Sequence, residues 1–539
     1  MLYEIGNPIP LLTKLRVFEN PLSYADDLAF GKWEPIARIF PLSEPLLEHQ
    51  VTAAAFVASR PCCILADDMG LGKTRSAVAG TLVAGALPCL VICQAGLRLT
   101  WRKEILAIAP GRSVLVPDSE EELTSPADFT IIAFNHLKDW FHSLMGKPFA
   151  STILDEAHAF KNETKMSVRM AKVFRNSMAQ GQKVFAHRTA IAFEICKSIP
   201  RVCCLTGTPL VNRPKELFNL LALTRHRLAN DFISFSTRFC DGHEEARGWV
   251  ANGASNLPEL RKLLHNHMLR RTKSSVLALP RKTVRVTRLI PTADFTQKYN
   301  SAFSDYIKLL KETGRYKTNH KLATSRRLMQ LNLLRQICST AKVPHIVERI
   351  ASAPCKTVVF ASFKTTINLL KSALEEKGLT CVVYSGKQND KAKFAAVEQF
   401  QTDPDTIVFL ATIGTGKTGI TLTKAIQTIF CDVSYSPADH MQGEDRNYRI
   451  GQTCEVLAEY FIFADTVEEW TLDMLATKKQ AIAAFLADDE HNEPVDLRVN
   501  IRPDLEQAIM NAIAGAHSSD VTFAPATDPQ LQLFGLPSF

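Results

Sequence analysis

The sequence predicts an α/β chain built as two lobes, each a parallel sheet flanked by helices. Three observations carry this. Short continuous apolar runs recur along the chain, as strands buried on both faces require. Residues with phosphate or acid–base chemistry follow directly on several of those runs. The 539 residues also exceed what one ordinary hydrophobic core organises.

The first lobe is expected over residues 42–290, after an N-terminal extension at 1–41. Its strands are the apolar runs 61–65, 89–93, 129–134, 152–154 and 202–205. The second lobe is expected over residues 291–489, with strands at 356–361, 381–384, 407–410 and 428–431. Residues 490–539 form a C-terminal tail. The chemistry of such sheets collects at strand ends.

The first run ends in Ala66-Asp67-Asp68-Met69-Gly70-Leu71-Gly72-Lys73-Thr74. A strand, a loop with Gly70 and Gly72, and a helix opening at Lys73 and Thr74 bring main-chain N–H groups together around phosphates. Lys73 would offset charge on the outer phosphates, and the Thr74 hydroxyl would hold Mg2+. Asp67 departs from the common pattern, which has its first glycine there. An incidental glycine-rich turn would have the same appearance in isolation.

A second run ends in Asp155-Glu156-Ala157-His158. A carboxylate at a strand terminus reaches a metal held by Thr74, so Asp155 is assigned to the metal. Its neighbour Glu156 is assigned as general base toward the attacking water. A third run ends in Leu205-Thr206-Gly207-Thr208-Pro209. His158, Thr206 and Thr208 are expected to couple nucleotide state to the rest of the chain. An Asp-Glu pair alone is an ordinary solvated strand end; its place between these two segments separates it from that background.

Together these residues resemble the two-lobed helicase superfamily with an Asp-Glu-Ala-His box, and within it the Swi/Snf-type DNA-translocating ATPases. Several further segments carry the resemblance: 46–50, 101–104, 131–135, 217–221, 269–273, 334–338, 358–363, 411–422, and above all Gln442-Gly443-Glu444-Asp445-Arg446-Asn447-Tyr448-Arg449-Ile450-Gly451-Gln452. It implies two tandem RecA-like lobes with an ATP cleft between them and helical insertions. It also implies that Gln50 contacts adenine, that Asp68, Gly70, Gly72 and Gln442 help bind nucleotide, and that Arg446 and Arg449 reach the triphosphate from the second lobe. A guanidinium is suited to that role because it stays charged and is planar. Asp68 stands where the family has glutamate. Residues 414–419 are one residue longer than the family's glycine motif, and 161–197 is a longer, basic excursion than usual.

Lys and Arg number 63 against 55 Asp and Glu, a net charge of +8 that favours polyanions only mildly. Residues 261–288 and 308–335 are locally basic, and the resemblance places such segments against a DNA phosphate backbone. Basic residues are not interleaved with aromatics, so sequence-independent binding to duplex or branched DNA is expected. The 13 cysteines fall largely in apolar runs without zinc spacing and read as buried thiols in a reducing cytosol. Glu4 and Pro8 interrupt any signal peptide, and no apolar run is long enough for a bilayer.

The tail ends in Gln530-Leu531-Gln532-Leu533-Phe534. This pentapeptide resembles the motif by which bacterial replication proteins dock on the sliding clamp. Leu531, Leu533 and Phe534 supply apolar anchors, and Gln530 a hydrogen bond. The setting expected is therefore the cytoplasm of a bacterial or phage-infected cell. The expected function is ATP hydrolysis, with Mg2+, driving movement along DNA in replication or repair. A strand-separating DNA or RNA helicase and a nucleotide-gated scaffold without turnover are the rivals.

Overall fold

The computed structural model describes residues 45–160, 188–209, 213–245, 248–315, 320–386, 388–416 and 419–486. The clamp-motif residues Gln530 to Phe534, the N-terminal extension 1–41 and most of the basic excursion 161–197 lie outside the described residues. The chain divides into two compact units, residues 1–278 and 279–539.

The first unit contains β1 (Cys62–Leu65), β2 (Cys89–Cys93), β3 (Val114–Leu115), β4 (Phe129–Ala133), β5 (Ser151–Leu154), β6 (Arg201–Leu205), the hairpin β7 (His243–Glu245) and β8 (Gly248–Val250), and β9 (Met268–Leu269). Seven of these form one sheet in the order β3-β4-β2-β5-β6-β1-β9. Every pairing in it is parallel. The central strands β2 and β4 are buried along their whole length, which is why they read as unbroken apolar runs. Because β1, β5 and β6 are adjacent, the three segments that follow them emerge side by side at one edge of the sheet.

The second unit contains β10 (Lys282–Leu289), β11 (Thr357–Ala361), β12 (Thr380–Tyr384), β13 (Thr406–Thr412), β14 (Gln427–Phe430) and β15 (Val456–Phe463), in the order β10-β15-β14-β11-β13-β12. All pairings are again parallel. The expected helical insertion follows β10 as the helices Ala293–Arg315 and His320–Ala341. Phe295, Tyr299, Phe303, Tyr306 and Leu310 repeat at helical spacing and pack with Leu331, Leu334 and Cys338.

β10 departs from the sequence expectation for a physical reason. β10 alternates charged and β-branched residues because it is an edge strand, half exposed, so no continuous apolar run marks it. It pairs with β15 from Lys282↔Val456 to Leu289↔Phe463, so residues 282–289 belong to the second sheet, whereas the sequence reading grouped them with the first lobe. Within this unit a fully buried Lys342 donates to the carbonyls of Cys431 (2.6 Å) and Phe461 (2.9 Å) and pairs with Glu468. Removing either partner would strand a buried charge.

All 13 cysteines are free thiols, nine of them buried. No described helix is long and apolar enough to cross a membrane.

Candidate nucleotide site

The first unit assembles its site around one loop. After β1 the chain turns through Gly70 and Gly72, both left-handed at φ 83° and 78°. That region costs a residue with a Cβ roughly 1–2 kcal/mol, which is why glycine stands there. Gly72 immediately precedes the helix Lys73–Val83, whose first N–H groups have no partner within the helix. Thr74, partly exposed, is the second residue of that helix.

Lys73 Nζ donates to the carbonyls of Asp67 (2.7 Å) and Asp68 (3.1 Å). Burial holds its pKa below the usual lysine range, opposed by the negative charges of Glu156, Asp67, Asp155 and Asp68. The lysine and the acidic strand end, predicted from separate segments, thus meet in one place.

Asp155 Oδ2 accepts from Trp101 Nε1 at 2.8 Å, and Oδ1 accepts from the Glu156 main-chain N–H at 2.9 Å. Burial first, and the charge of Glu156 second, push the Asp155 carboxyl up to about 6, against the pull of Trp101 and Lys73. Glu156 is itself buried and sits at φ 45°, a conformation uncommon for non-glycine residues. Its Oε2 lies 3.2 Å from His158 Nδ1. Thr206 Oγ1 is 3.5 Å from the same ring nitrogen and accepts the Thr208 N–H at 3.1 Å. The three residues expected to couple therefore form one chain leading from Glu156.

Gly207 brings this chain onto the phosphate loop. A Cβ there would stand 2.4 Å from Met69 Cγ and 3.3 Å from Lys73 Nζ, so only glycine allows the approach. The Thr208 hydroxyl oxygen is buried without a hydrogen-bond partner.

Gln50, which the resemblance implies contacts adenine, is buried beside the loop. Its amide NH2 donates to the Leu71 carbonyl at 3.2 Å and its oxygen accepts the Leu47 N–H at 3.1 Å, while His49 Nε2 lies 3.0 Å from the same Leu71 oxygen. These contacts tie the start of the helix Glu48–Ser59 to the loop.

Four cations of the basic stretch 261–288 have acidic partners within their own unit: Arg270 pairs with Asp68, Arg271 with Asp67, Lys282 with Glu444 and Arg288 with Glu469. Sequence reasoning singled out 269–273 without a role for its arginines. The signal was available in the two adjacent acids at the start of the loop, which demand counter-charge.

The second unit carries the arginine segment. Arg446 is buried; its Nε donates to the Gln442 carbonyl at 2.7 Å and its Nη1 to the Ile420 carbonyl at 3.2 Å. Arg449 Nη1 reaches the same Ile420 carbonyl at 3.4 Å. The segment is folded onto residues 420–425: Gln452 Nε2 donates to the carbonyls of Thr423, Ala425 and Asn447 at 3.0–3.1 Å. Buried Glu444 accepts from Lys282 Nζ and Tyr460 OH, each at 2.7 Å. Gln442 is buried at the end of the helix Pro437–Glu444.

The donor set suits Mg2+: one hydroxyl at Thr74 and a carboxylate at Asp155 leave room for waters and phosphate oxygens, which this ion keeps. Among the described residues there is no cluster of three or more His, Cys, Asp or Glu that would hold a metal without substrate.

A glycine phosphate loop with an acidic strand end in one parallel-sheet unit, and paired arginines in a second such unit, define the class of two-lobed, helicase-type nucleotide-binding proteins. The SNF2-related domain profile matches residues 49–179 and 180–343, and the helicase conserved C-terminal domain profile matches 341–451. The chain belongs to the SNF2-related family.

Among curated relatives, it is 28% identical over 453 residues to the SWI/SNF-related matrix-associated actin-dependent regulator of chromatin subfamily A-like protein 1 of Drosophila melanogaster, covering 82% of this chain and 56% of that protein. It is also 28% identical over 464 residues to the human DNA annealing helicase and endonuclease ZRANB3, covering 83% and 41%. The chain thus spans about half the length of the curated relatives it matches. A solved structure of the Sulfolobus solfataricus SWI2/SNF2 ATPase core in complex with dsDNA is 21% identical, covering 83% of this chain and 94% of that one with a TM-score of 0.38.

Proposed function

We propose that this protein is a DNA-stimulated ATPase of Swi/Snf type that tracks along or remodels duplex or branched DNA in replication or repair. The observation that carries the reading is the convergence of Lys73, Asp155 and Glu156 on one loop in a chain of the SNF2-related family.

Lys73 exchanges the Asp67 and Asp68 carbonyls for the outer phosphates, and the loop N–H groups bind the rest of the triphosphate. Thr74 and Asp155 would hold Mg2+, which would offset phosphate charge when bound. Glu156 takes the proton of the attacking water, its carboxylate steadied by His158. Arg446 and Arg449 are brought to the same triphosphate when the lobes close, and they stabilise charge on the transferred phosphoryl oxygens. Gln442 lines that nucleotide contact through the carbonyl that orients Arg446.

The test measures ATP turnover with duplex, single-stranded and forked DNA and with RNA, alongside displacement of a triplex-forming strand. Stimulation by duplex or forked DNA, with the third strand displaced and the duplex intact, is the expected result. Unwinding of the duplex would make the protein a strand-separating helicase. Nucleotide binding without turnover on any polymer would make it a gated scaffold. Docking on a bacterial sliding clamp through Gln530, Leu531, Leu533 and Phe534 is a separate part of the proposal and rests on the pentapeptide.

A further inference from the structure

We propose that Arg270 and Arg271 are positioning residues for the nucleotide reaction: they latch the phosphate loop to the segment through which the chain leaves the first unit. This deepens the ATPase reading and rests on it.

The latch begins as a main-chain ladder. Ile64 N–H donates to His267 O (2.9 Å), Ala66 to Leu269 (2.7 Å) and Asp68 to Arg271 (2.9 Å), so pairing with β9 and its extension continues past the end of β1 into the loop itself. Side chains then lock it. The Arg271 guanidinium spans both carboxylate oxygens of Asp67, with Nε 3.0 Å from Oδ1, and its remaining NH2 donates to the His49 carbonyl. Arg270 donates to Asp68 Oδ1 (3.0 Å) and to the Ala66 carbonyl (3.1 Å), and the Lys273 N–H donates to Asp68 Oδ2 (3.1 Å).

The two residues held by their side chains are the two whose carbonyls hold Lys73. Arg271, Asp67 and Lys73 are therefore linked through one residue, and the position of the phosphate-binding ammonium is set by the arginine. Charge gives a second reason. Asp67 is only 1% exposed, and an uncompensated pair of acids beside Lys73 would repel a triphosphate. The arginines never touch nucleotide in this scheme; they act through Asp67 and Asp68. The first unit ends at Ala278, five residues beyond Lys273.

The test compares wild type, R271Q, D67N and D67N/R271Q for fluorescent ADP and ATP affinity and for KM and kcat of DNA-stimulated hydrolysis. R271Q is expected to raise KM and weaken nucleotide binding about tenfold, with kcat changed less than about threefold. D67N/R271Q is expected to regain most of that affinity, because the stranded charge is gone. Should R271Q fail to fold, the double variant carries the comparison against D67N alone, where a further loss in KM below about twofold is expected. A folded R271Q with wild-type KM overturns the latch, as does a double variant no better than R271Q. A wild-type protein that binds no ATP overturns the nucleotide reading instead, and so the two failures are distinct.

Discussion

Lys73 in the first unit and Arg446 with Arg449 in the second all rest on main-chain carbonyls, yet their surroundings differ. Around Lys73 stand Glu156, Asp67, Asp155 and Asp68, and burial drags its pKa down while those charges hold it up. Arg446 and Arg449 converge on the neutral carbonyl of Ile420, and Arg446 also on that of Gln442. The first unit is an ionic cluster in which burial and the neighbouring acids act on Lys73 in opposite directions; the second presents guanidiniums that stay charged whatever their surroundings. In the proposed function nucleotide binding falls to the first side and stabilisation of the transferred phosphoryl group to the second.

Substitutions separate the two sides, beginning with the largest effect. Lys73→Ala should abolish both nucleotide binding and hydrolysis, whereas Arg446→Ala should leave binding within a fewfold and cut turnover by about 10³-fold or more. Isothermal titration beside a phosphate-release assay checks both, and an Arg446 variant that loses binding to the same extent as Lys73→Ala would erase the distinction. Glu156→Gln should bind ATP and trap it, slowing turnover by roughly 10²–10⁴-fold. Prompt phosphate release in that variant would remove the base assignment.

A smaller effect tests the titrating character of the first unit. The Asp155 carboxyl, pushed up to about 6, is more willing to keep its proton when folded than when unfolded. The stability this confers is complete below the ordinary carboxylate pKa and is lost as pH rises through about 6. Nucleotide-free Asp155→Asn, which has no such proton to lose, should match wild type in unfolding free energy near pH 4 and exceed it well above pH 6, by about 3 kcal/mol. A constant gap across that range would contradict the shifted carboxyl. The smallest expected change is in hydrolysis on deleting residues 530–539: ATP turnover should be unaltered while a pull-down on a bacterial sliding clamp loses its signal.

Most buried strands of the two sheets were legible because cover on two faces required them to be apolar; β2 and β4 were located almost to the residue, whereas the buried β15, whose run is interrupted by Glu459, was not singled out. β9 was not, because two residues carry no periodicity, and neither was β10, whose alternation reflects an exposed edge. In the site, Lys73, Asp155, Glu156, His158, Thr206 and Thr208 were readable from residue type next to a strand end. The contacts of Gln50 were not: only the position of the Leu71 carbonyl shows that its amide supports the loop. The partners of Arg270 and Arg271 were not legible either, since a basic stretch does not state where its counter-charges are.

From sequence alone came the two-lobed plan, the phosphate loop and the identity of the groups able to perform the chemistry, because glycine at a left-handed turn and an acid after a buried strand are local requirements. Tertiary structure decided the partners: Trp101 on Asp155, Gly207 against Met69 and Lys73, and Arg271 on Asp67, separated by 54, 138 and 134, and 204 residues. Pairing over such distances follows from the order of strands in a sheet, which no single segment of the chain encodes.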